Sequence, residues 1–322
     1  MPIIQKSSYK PPALLKNRHM QTVFPSLFRK IKDVNYIRER INTPDNDFID
    51  LDWIKTGSDK TVIICHGLEG NSERAYVKGM AKAFTKRGWD SAAYNFRGCS
   101  GETNKQLRFY HSGATDDLQT VISHIKKLKI YKKIAIVGFS LGGNVVLKYF
   151  GENGLKIDKI ITAGGAASVP CDLTGSSIQL AKKSNYLYML HFLIMLKEKV
   201  KNKMELYPDK LSLENFSEIK NFKQYDDRYT APIHGFKNAD DYWTRSSSKQ
   251  FLNKISRPVL LINALDDPFL SPECYPFDEA EKNKFLHFET PEIGGHLGFV
   301  NFPLSGEFYQ ETKIADFVTE NS

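Results

Sequence analysis

A serine flanked by glycines, in Gly138-Phe-Ser-Leu-Gly142, is the feature of this sequence with the clearest capacity for chemistry. The spacing is typical of a serine held on a sharp turn between a strand and a helix, where glycines avoid collisions with neighbouring backbone. The apolar run 134–137 before the motif predicts a buried strand. Residues 143–150 after it predict a helix that ends at Gly151. This context predicts that Ser140 is a nucleophile.

A serine hydroxyl becomes reactive when a histidine takes its proton and a carboxylate orients that histidine. The chain offers Asp266-Asp267 directly after the apolar run 259–263, and His296 between glycines after the run 284–288. Both follow predicted strands of a parallel sheet, whose carboxyl ends meet at one edge and commonly form a site. The order Ser, Asp, His therefore predicts a catalytic triad. The spacing alone admits either aspartate.

The loop His66-Gly-Leu-Glu-Gly70 follows another predicted strand and supplies a candidate for charge stabilisation. The oxyanion formed by attack on a carbonyl needs two backbone N–H donors, one from the residue after the nucleophile and one from an early loop. Leu141 and Leu68 occupy these positions. The alternative interpretation is a glycine-rich turn with no role in catalysis.

The elements that would position these residues alternate between strand and helix, which predicts a mostly parallel sheet covered by helices. Two strand-like stretches within 34–54 flank the turn Thr43–Asp47. Ser72 is positioned to cap a helix that runs to about Lys86. The remaining predicted elements are strands at 61–65, 89–95 and 157–162 and helices at 116–128 and 307–319.

Three parts are predicted along the chain. Residues 1–33 are an extended arm, because prolines interrupt them, and residues 34–167 and 249–322 form the core. Residues 168–248 lack strand patterns and predict a helical insertion, the cap. Its apolar run Tyr186–Leu196, with lysines on both sides, fits either a lid that contacts lipid or an acyl chain, or a helix packed on the core.

Several segments together resemble the YheT-like branch of the α/β-hydrolase superfamily, which is related to eukaryotic abhydrolase-domain lipid esterases and fungal ethanol acyltransferases. They span about residues 17–300, and those at 95–101 and 17–22 are more discriminating than the serine motif. The matching segments are Asn17-Arg-His-Met-Gln-Thr22, His66–Gly70, Asn95-Phe-Arg-Gly-Cys-Ser-Gly101, Tyr110-His-Ser-Gly113, Gly138–Asn144, Asp266–Phe269 and Gly294-Gly-His-Leu-Gly-Phe299.

The resemblance implies an α/β-hydrolase fold and carboxylester hydrolysis by Ser140, Asp267 and His296, with Asp267 favoured over Asp266. It implies no metal or organic cofactor, and a small-molecule or lipid ester as substrate. It also associates the pattern from His111 to Asp116 with acyl transfer to an alcohol, although such a pair easily arises by accident and Asp116 also suits a helix N-terminus.

Two further alternatives remain open on the sequence. Arg97 lies near the site or only shapes its loop. A lipid-binding protein without catalysis would use the same fold, although an intact triad argues against it.

Composition excludes other classes of function. The chain has 322 residues and a net charge of +8 without a compact basic block, so nucleic-acid binding is not expected. Four dispersed cysteines (Cys65, Cys99, Cys171 and Cys274) predict thiols in a reducing compartment and argue against a metal site. No signal peptide or membrane-spanning run is recognisable. We expect a cytoplasmic protein whose cap is able to contact a membrane surface.

Overall fold

The computed structural model describes residues 2–322 and is built around one nine-stranded sheet. The strands lie in the order β1-β9-β8-β7-β6-β4-β5-β3-β2. The β2–β3 and β3–β5 pairs are antiparallel, and all other neighbours are parallel. The strands are β1 (Ile3–Ile4), β2 (Ile37–Asn42), β3 (Phe48–Ile54), β4 (Lys60–Cys65), β5 (Asp90–Asn95), β6 (Lys133–Phe139), β7 (Ile161–Ala167), β8 (Val259–Ile262) and β9 (Leu286–Glu289).

Eleven α-helices of the described residues accompany the sheet, together with short 3-10 turns and a π-helical turn at Asp226–Thr230. The helices are α1 (Arg18–Phe28), α2 (Ala75–Lys86), α3 (Thr115–Lys127), α4 (Leu141–Asn153), α5 (Leu173–Leu180), α6 (Tyr186–Met204), α7 (Phe222–Tyr225), α8 (Ala231–His234), α9 (Ala239–Ser246), α10 (Phe277–Lys282) and α11 (Tyr309–Glu320).

Alternate residues of the strands pack on opposite faces of the sheet, so the core has two layers. Ile63 of β4 belongs to the layer that Leu118 of α3 and Val146 of α4 complete. Its neighbour Val62 belongs to the layer that contains Phe84 of α2 and residues of α11. The predicted α/β fold is therefore confirmed, since helices cover both faces of a mostly parallel sheet.

Three local predictions differ from the structure. The strand expected at 157–162 is β7, which begins at Ile161, because Asp158 closes a turn by accepting the Ile160 N–H at 3.1 Å. Ser72 does not cap α2; its hydroxyl donates to Asp52 at 2.5 Å, and the helix begins at Ala75. The arm is not wholly extended either, since it contains α1.

Helix α4 also continues past the expected end at Gly151. A Cβ on Gly151 would lie 2.6 Å from Cβ of Phe251, so this glycine allows a neighbouring 3-10 turn to approach the helix. The sequence pattern predicts a helix end at Gly151, whereas in the structure this glycine serves close packing.

The N-terminal arm pairs with the sheet and forms a helix of its own. β1 pairs with the edge strand β9, and α1 is capped by Asn17, whose side chain accepts the His19 N–H at 2.9 Å. Pro25 lies inside α1, in its second half, and its carbonyl accepts the Arg29 N–H at 3.1 Å. This small helix lies beside the loop that carries His296, as described below.

The segment 168–248 between β7 and β8 forms helices α5–α9 without a strand among its described residues. Asn144 of α4 fastens the segment to the core. Its amide donates to the carbonyls of Ser112 and Ser246 at 2.8 Å each, and its oxygen accepts the Ser248 N–H at 2.9 Å. Among residues 2–322, no helix is long and apolar enough to cross a membrane.

Candidate active site

Ser140 lies on the turn between β6 and α4, with φ 52° and ψ −120°, a conformation that L-residues rarely adopt. The Ser140 N–H donates to the Ala167 carbonyl at 2.9 Å, which fixes the turn to the adjacent strand β7. A Cβ on Gly138 would lie 2.7 Å from the Gly143 nitrogen, so only glycine fits there. The turn thus presents the hydroxyl above the carboxyl edge of the sheet.

Three side chains from distant parts of the chain meet at this edge. The Ser140 Oγ lies 3.0 Å from Nε2 of His296. The Nδ1 of the same ring lies 2.9 and 3.1 Å from the two carboxylate oxygens of Asp267. Both Asp267 and His296 are buried. This geometry places a base on the hydroxyl and a carboxylate behind the base, the arrangement that activates a serine.

The structure separates the two adjacent aspartates that spacing alone admitted. Asp267 faces His296, whereas Oδ1 of Asp266 accepts the N–H groups of Gly294 and Gly295 at 2.8 and 2.9 Å. Burial raises the pKa of Asp266, and these two backbone hydrogen bonds oppose the rise. Asp266 therefore supports the loop that carries the histidine, and Asp267 contacts the ring.

Helix α1 also supports this loop. The Oγ1 of Thr22 accepts the His296 N–H at 2.9 Å and donates to the Arg18 carbonyl at 2.7 Å. From the core side, Ser168 accepts the Leu297 N–H at 2.9 Å. The sequence motif at residues 17–22 marked this region without assigning it a role. Its contribution here is to hold the backbone of the histidine.

The amides predicted to stabilise an oxyanion belong to Leu68, in the loop after β4, and to Leu141, the residue after Ser140. Leu68 and Leu141 both line a cavity together with Ser140. In the described chain neither amide has a protein acceptor, and Leu141 is the first residue of α4, where N–H groups are left without helical partners. The neighbouring Gly67 N–H is already bound to Tyr76 Oη at 3.0 Å. Leu68 therefore retains the free donor of its loop.

A buried ion pair holds the loop of Leu68 against the cap. Lys199 of α6 lies 3.3 Å from Glu69, and both side chains are at most 10% exposed. Tyr110 accepts the Glu69 N–H at 2.7 Å and donates to its carboxylate at 2.6 Å. Burial lowers the pKa of Lys199, but the nearby Cys99 and Glu69 together raise it by more. The pKa is therefore above its ordinary value, and the amine stays charged. Sequence patterns gave no signal for this pair.

The conspicuous His66 beside this loop has a structural place. Its Nε2 accepts the Phe96 N–H at 3.1 Å, and its Nδ1 lies 2.7 Å from the Gly67 carbonyl. The ring therefore carries its proton on Nδ1. Complete burial lowers its pKa to about 3, so it stays neutral.

Two cavities meet at Ser140. The inner cavity, of about 120 Å³, lies under the cap and is lined mainly by apolar side chains that include Leu180, Phe192 and Trp243. The outer cleft, of about 230 Å³, runs between α1 and α6 and is lined by Thr22, Tyr188 and His191 among others. Ser140 and His296 line both spaces. An ester bound at the serine would therefore have separate spaces for its two halves.

Comparison with known proteins places this geometry in a family. Residues 60–303 match the family model described as the alpha/beta hydrolase fold. YheT of Escherichia coli (strain K12), which is named as an esterase, is 33% identical over 94% of this chain and 90% of its own length. The chain belongs to the α/β-hydrolase family. The likeness to YheT also confirms the YheT-like branch that the sequence motifs indicated.

Other relatives of this hydrolase carry lipid names. Phospholipase ABHD3 of Mus musculus is 27% identical over 93% of this chain and 74% of its own length.

An esterase structure from Pyrococcus furiosus superposes with a TM-score of 0.59 at 21% identity, covering 91% of this chain and 98% of that one. At this identity the structural likeness shows the fold alone.

Arg97, which lies in one of the family motifs, is apart from the serine of this hydrolase. Arg97 forms a bidentate pair with Asp117 at 2.7 and 2.8 Å and also contacts Asp47 at 2.8 Å. It is buried and does not line either cavity, so it shapes the loop. This outcome agrees with the second of the two alternatives for Arg97.

The pattern from His111 to Asp116 is divided in the structure. His111 lines the inner cavity and packs edge-on against His234, with ring centroids 4.8 Å apart. Asp116 instead points to Arg108, which it contacts at 2.8 Å. These two residues do not form a pair, and Asp116 lies in the first turn of α3, where a negative charge is favourable.

An acidic side chain of the cap also lines the inner cavity and was missed in the sequence. Asp226 accepts hydrogen bonds from Thr230 at 2.6 Å and from the Trp243 indole at 2.8 Å. Burial raises its pKa to about 7. The π-helical turn that begins at Asp226 brings this carboxyl inward, an irregularity that no residue pattern signals.

Proposed function

We propose that this protein is a serine carboxylester hydrolase that acts through an acyl-enzyme. The observation that carries the proposal is the chain of contacts from Ser140 through His296 to Asp267, at 3.0 and 2.9 Å. A positioned base in contact with a strained serine is what nucleophilic catalysis on an acyl carbon requires. Family membership and relatives named as esterases and lipases support the same reaction class.

In the proposed acylation, the Ser140 Oγ attacks the ester carbonyl carbon while Nε2 of His296 takes its proton. Asp267 accepts from Nδ1 and stabilises the resulting imidazolium. The carbonyl oxygen becomes an oxyanion and accepts hydrogen bonds from the N–H groups of Leu68 and Leu141. When the tetrahedral intermediate collapses, the bond to the alcohol oxygen breaks and His296 returns the proton to that oxygen.

Deacylation repeats these steps with water. His296 takes a proton from a water molecule, the hydroxide oxygen attacks the acyl carbon, and the same two amides hold the second oxyanion. Collapse releases the carboxylic acid and returns the proton to Ser140. The pair of Lys199 and Glu69 contributes by holding the loop of Leu68 and does not touch the reacting atoms.

The two cavities suggest which half of the ester goes where. The inner cavity is enclosed by the cap and lined mainly by apolar side chains, so we assign it to the acyl chain. The outer cleft between α1 and α6 reaches the same serine, and we assign it to the alcohol half. Substrates would be esters of short- to medium-chain acids, including lipid esters.

The proposal is tested by turnover of p-nitrophenyl acyl esters of increasing chain length and by labelling with a fluorophosphonate probe. We expect turnover by the native protein and a fall of about 10⁶-fold in kcat for Ser140→Ala, as removal of a triad nucleophile gives elsewhere. The probe should label the native protein and leave Ser140→Ala unlabelled.

Ser184→Ala is the matched control, because Ser184 is exposed on the cap and distant in sequence from the triad. It should keep both turnover and labelling. Equal rates for the native protein and Ser140→Ala would contradict the proposal, as would labelling that persists in Ser140→Ala.

A further inference from the structure

The outer face of helix α6 exposes a row of large apolar side chains. Leu187 is 76% exposed, Ile194 59% and Tyr186 63%, and Leu190 lies between them. They recur at the spacing of one helix face. Single exposed apolar residues are ordinary, but a row on one helix is typical of a contact surface.

Beside this row lies a shallow trough of about 720 Å³, formed by α6 and the segment 216–221. Its floor is apolar and includes Met189, Leu193 and Phe216. In the described chain no carboxylate lines the trough. Four exposed lysines surround it: Lys182, Lys183, Lys197 and Lys220.

The four lysines have no acidic partners among the described ion pairs. Lys197 lies over the Phe216 ring at 5.6 Å, and Lys182 donates to Gln179 at 2.6 Å. Glu198 lies on the same helix but is paired with Lys201 at 3.6 Å. The positive charge around the trough is therefore available to an external anion. We refer to the four lysines with Tyr186, Leu187, Leu190 and Ile194 as the basic face.

The basic face stands on an anchored helix. Buried Lys203 of α6 donates to the side chain of Asn104 at 2.8 Å and to the Gln106 carbonyl at 2.7 Å, and Lys199 is held by Glu69. The carboxyl half of α6 is thus fixed to the core. The four exposed apolar residues lie in its amino half, so the face is presented as a fixed surface.

The basic face also borders the opening to the serine. His191 lines the outer cleft and is itself exposed. Leu187 and Ile194 are its neighbours on the helix surface, at i−4 and i+3. A surface that contacted Leu187 and Ile194 would lie next to the cleft entrance.

We infer that the basic face docks on an anionic lipid bilayer and brings the outer cleft to the lipid surface. Apolar side chains flanked by unpaired lysines match the interface of such a bilayer, where acyl chains lie below phosphate groups. The inference rests on the proposed ester hydrolysis, because the lipid bilayer would be the source of the ester that enters the cleft at Ser140. It concerns a different surface and is measured separately.

The test is co-sedimentation of the full chain with vesicles of phosphatidylcholine containing about one third phosphatidylglycerol, against vesicles of phosphatidylcholine alone. The native protein should bind the anionic vesicles more tightly. A variant with all four basic-face lysines changed to Gln should lose on the order of 10³-fold in partition coefficient, since each lysine near an anionic surface contributes roughly fivefold.

A matched control changes four other exposed lysines to Gln: Lys156, Lys254, Lys282 and Lys284. They lie near the amino ends of β8 and β9, at the sheet edge opposite the serine. Both variants lower the net charge by the same amount. The control should bind like the native protein, and Leu187→Ser with Ile194→Ser should weaken binding with all lysines present.

Absence of binding to anionic vesicles overturns the inference, and so does an equal loss in the two lysine variants, which would indicate a general charge effect. Turnover of soluble p-nitrophenyl butyrate separates the two proposals. We expect it to be unchanged in every one of these variants. Vesicle binding without turnover in the native protein would contradict the proposed reaction alone.

Discussion

Replacing Asp267 by Asn tests how the histidine is oriented, because the surroundings fix which way the new amide points. Oδ1 of Asp267 accepts the Phe269 N–H at 2.9 Å, so the asparagine oxygen would remain there. Its NH₂ would then face Nδ1 of His296. The ring would have to carry its proton on Nε2 and would offer the Ser140 hydroxyl a donor where it needs an acceptor.

The size of the effect follows from the charge that Asp267 provides during catalysis. A unit charge 2.9 Å from the imidazolium interacts by about 6 kcal/mol at an effective dielectric constant of about 20. Each 1.36 kcal/mol is about tenfold in rate, so kcat should fall by about 10⁴-fold. The KM should change little, because Asp267 is buried behind the ring and does not line either cavity.

Steady-state hydrolysis of p-nitrophenyl butyrate measures this change, and thermal unfolding verifies that the variants fold. Asp266→Asn is the matched control, since an amide oxygen can still accept the N–H groups of Gly294 and Gly295. We expect its kcat to stay within about threefold of the native value. Similar losses in both variants, or Asp267→Asn retaining a tenth of native activity, would refute the assignment of Asp267 as the orienting acid.

Three further predictions concern residues that support the site. Thr22→Val leaves the His296 N–H without its acceptor and should lower kcat about tenfold, whereas Thr22→Ser should restore it; equal rates for Val and Ser would contradict this role. Lys199→Met strands the buried Glu69 carboxylate and should cost about 3–5 kcal/mol in urea unfolding, and adding Glu69→Gln should recover at least half; no recovery would argue against the ion pair. With its pKa raised from 3.8 to about 7, Asp226 keeps in the folded state a proton that the unfolded state releases. The free energy of unfolding should therefore fall as pH rises through this window, by up to about 1.4 kcal/mol per unit, and Asp226→Asn should remove that dependence; a difference between the two proteins that stays constant with pH would refute it.

The residues that meet at the candidate site could largely be anticipated from local patterns. The turn at Ser140 depends on glycines within two residues of it and on an apolar run directly before it. The prediction that Asp267 and His296 each follow a strand likewise depends on short apolar runs shortly before them. These patterns are visible because a buried strand and a tight turn restrict the residue types at consecutive positions.

Element boundaries were less accessible where a residue serves a partner distant in the chain. Gly151 is of a residue type that commonly ends a helix, but here it makes room for Phe251. Ser72 is of a residue type that commonly caps a helix, but here its hydroxyl donates a hydrogen bond to Asp52. In each case the residue type is visible in the sequence, but its structural role depends on a contact with a residue far along the chain.

The sequence by itself determined the alternating strands and helices, the turn that exposes Ser140 and the set of candidate partners. Only the tertiary structure placed Asp267, and not Asp266, in contact with His296, joined Thr22 to the histidine loop and paired Lys199 with Glu69. These choices depend on the direction of side chains across contacts between residues far apart in the chain. Adjacent aspartates share every local pattern, and only the packed chain places one of them beside the imidazole ring.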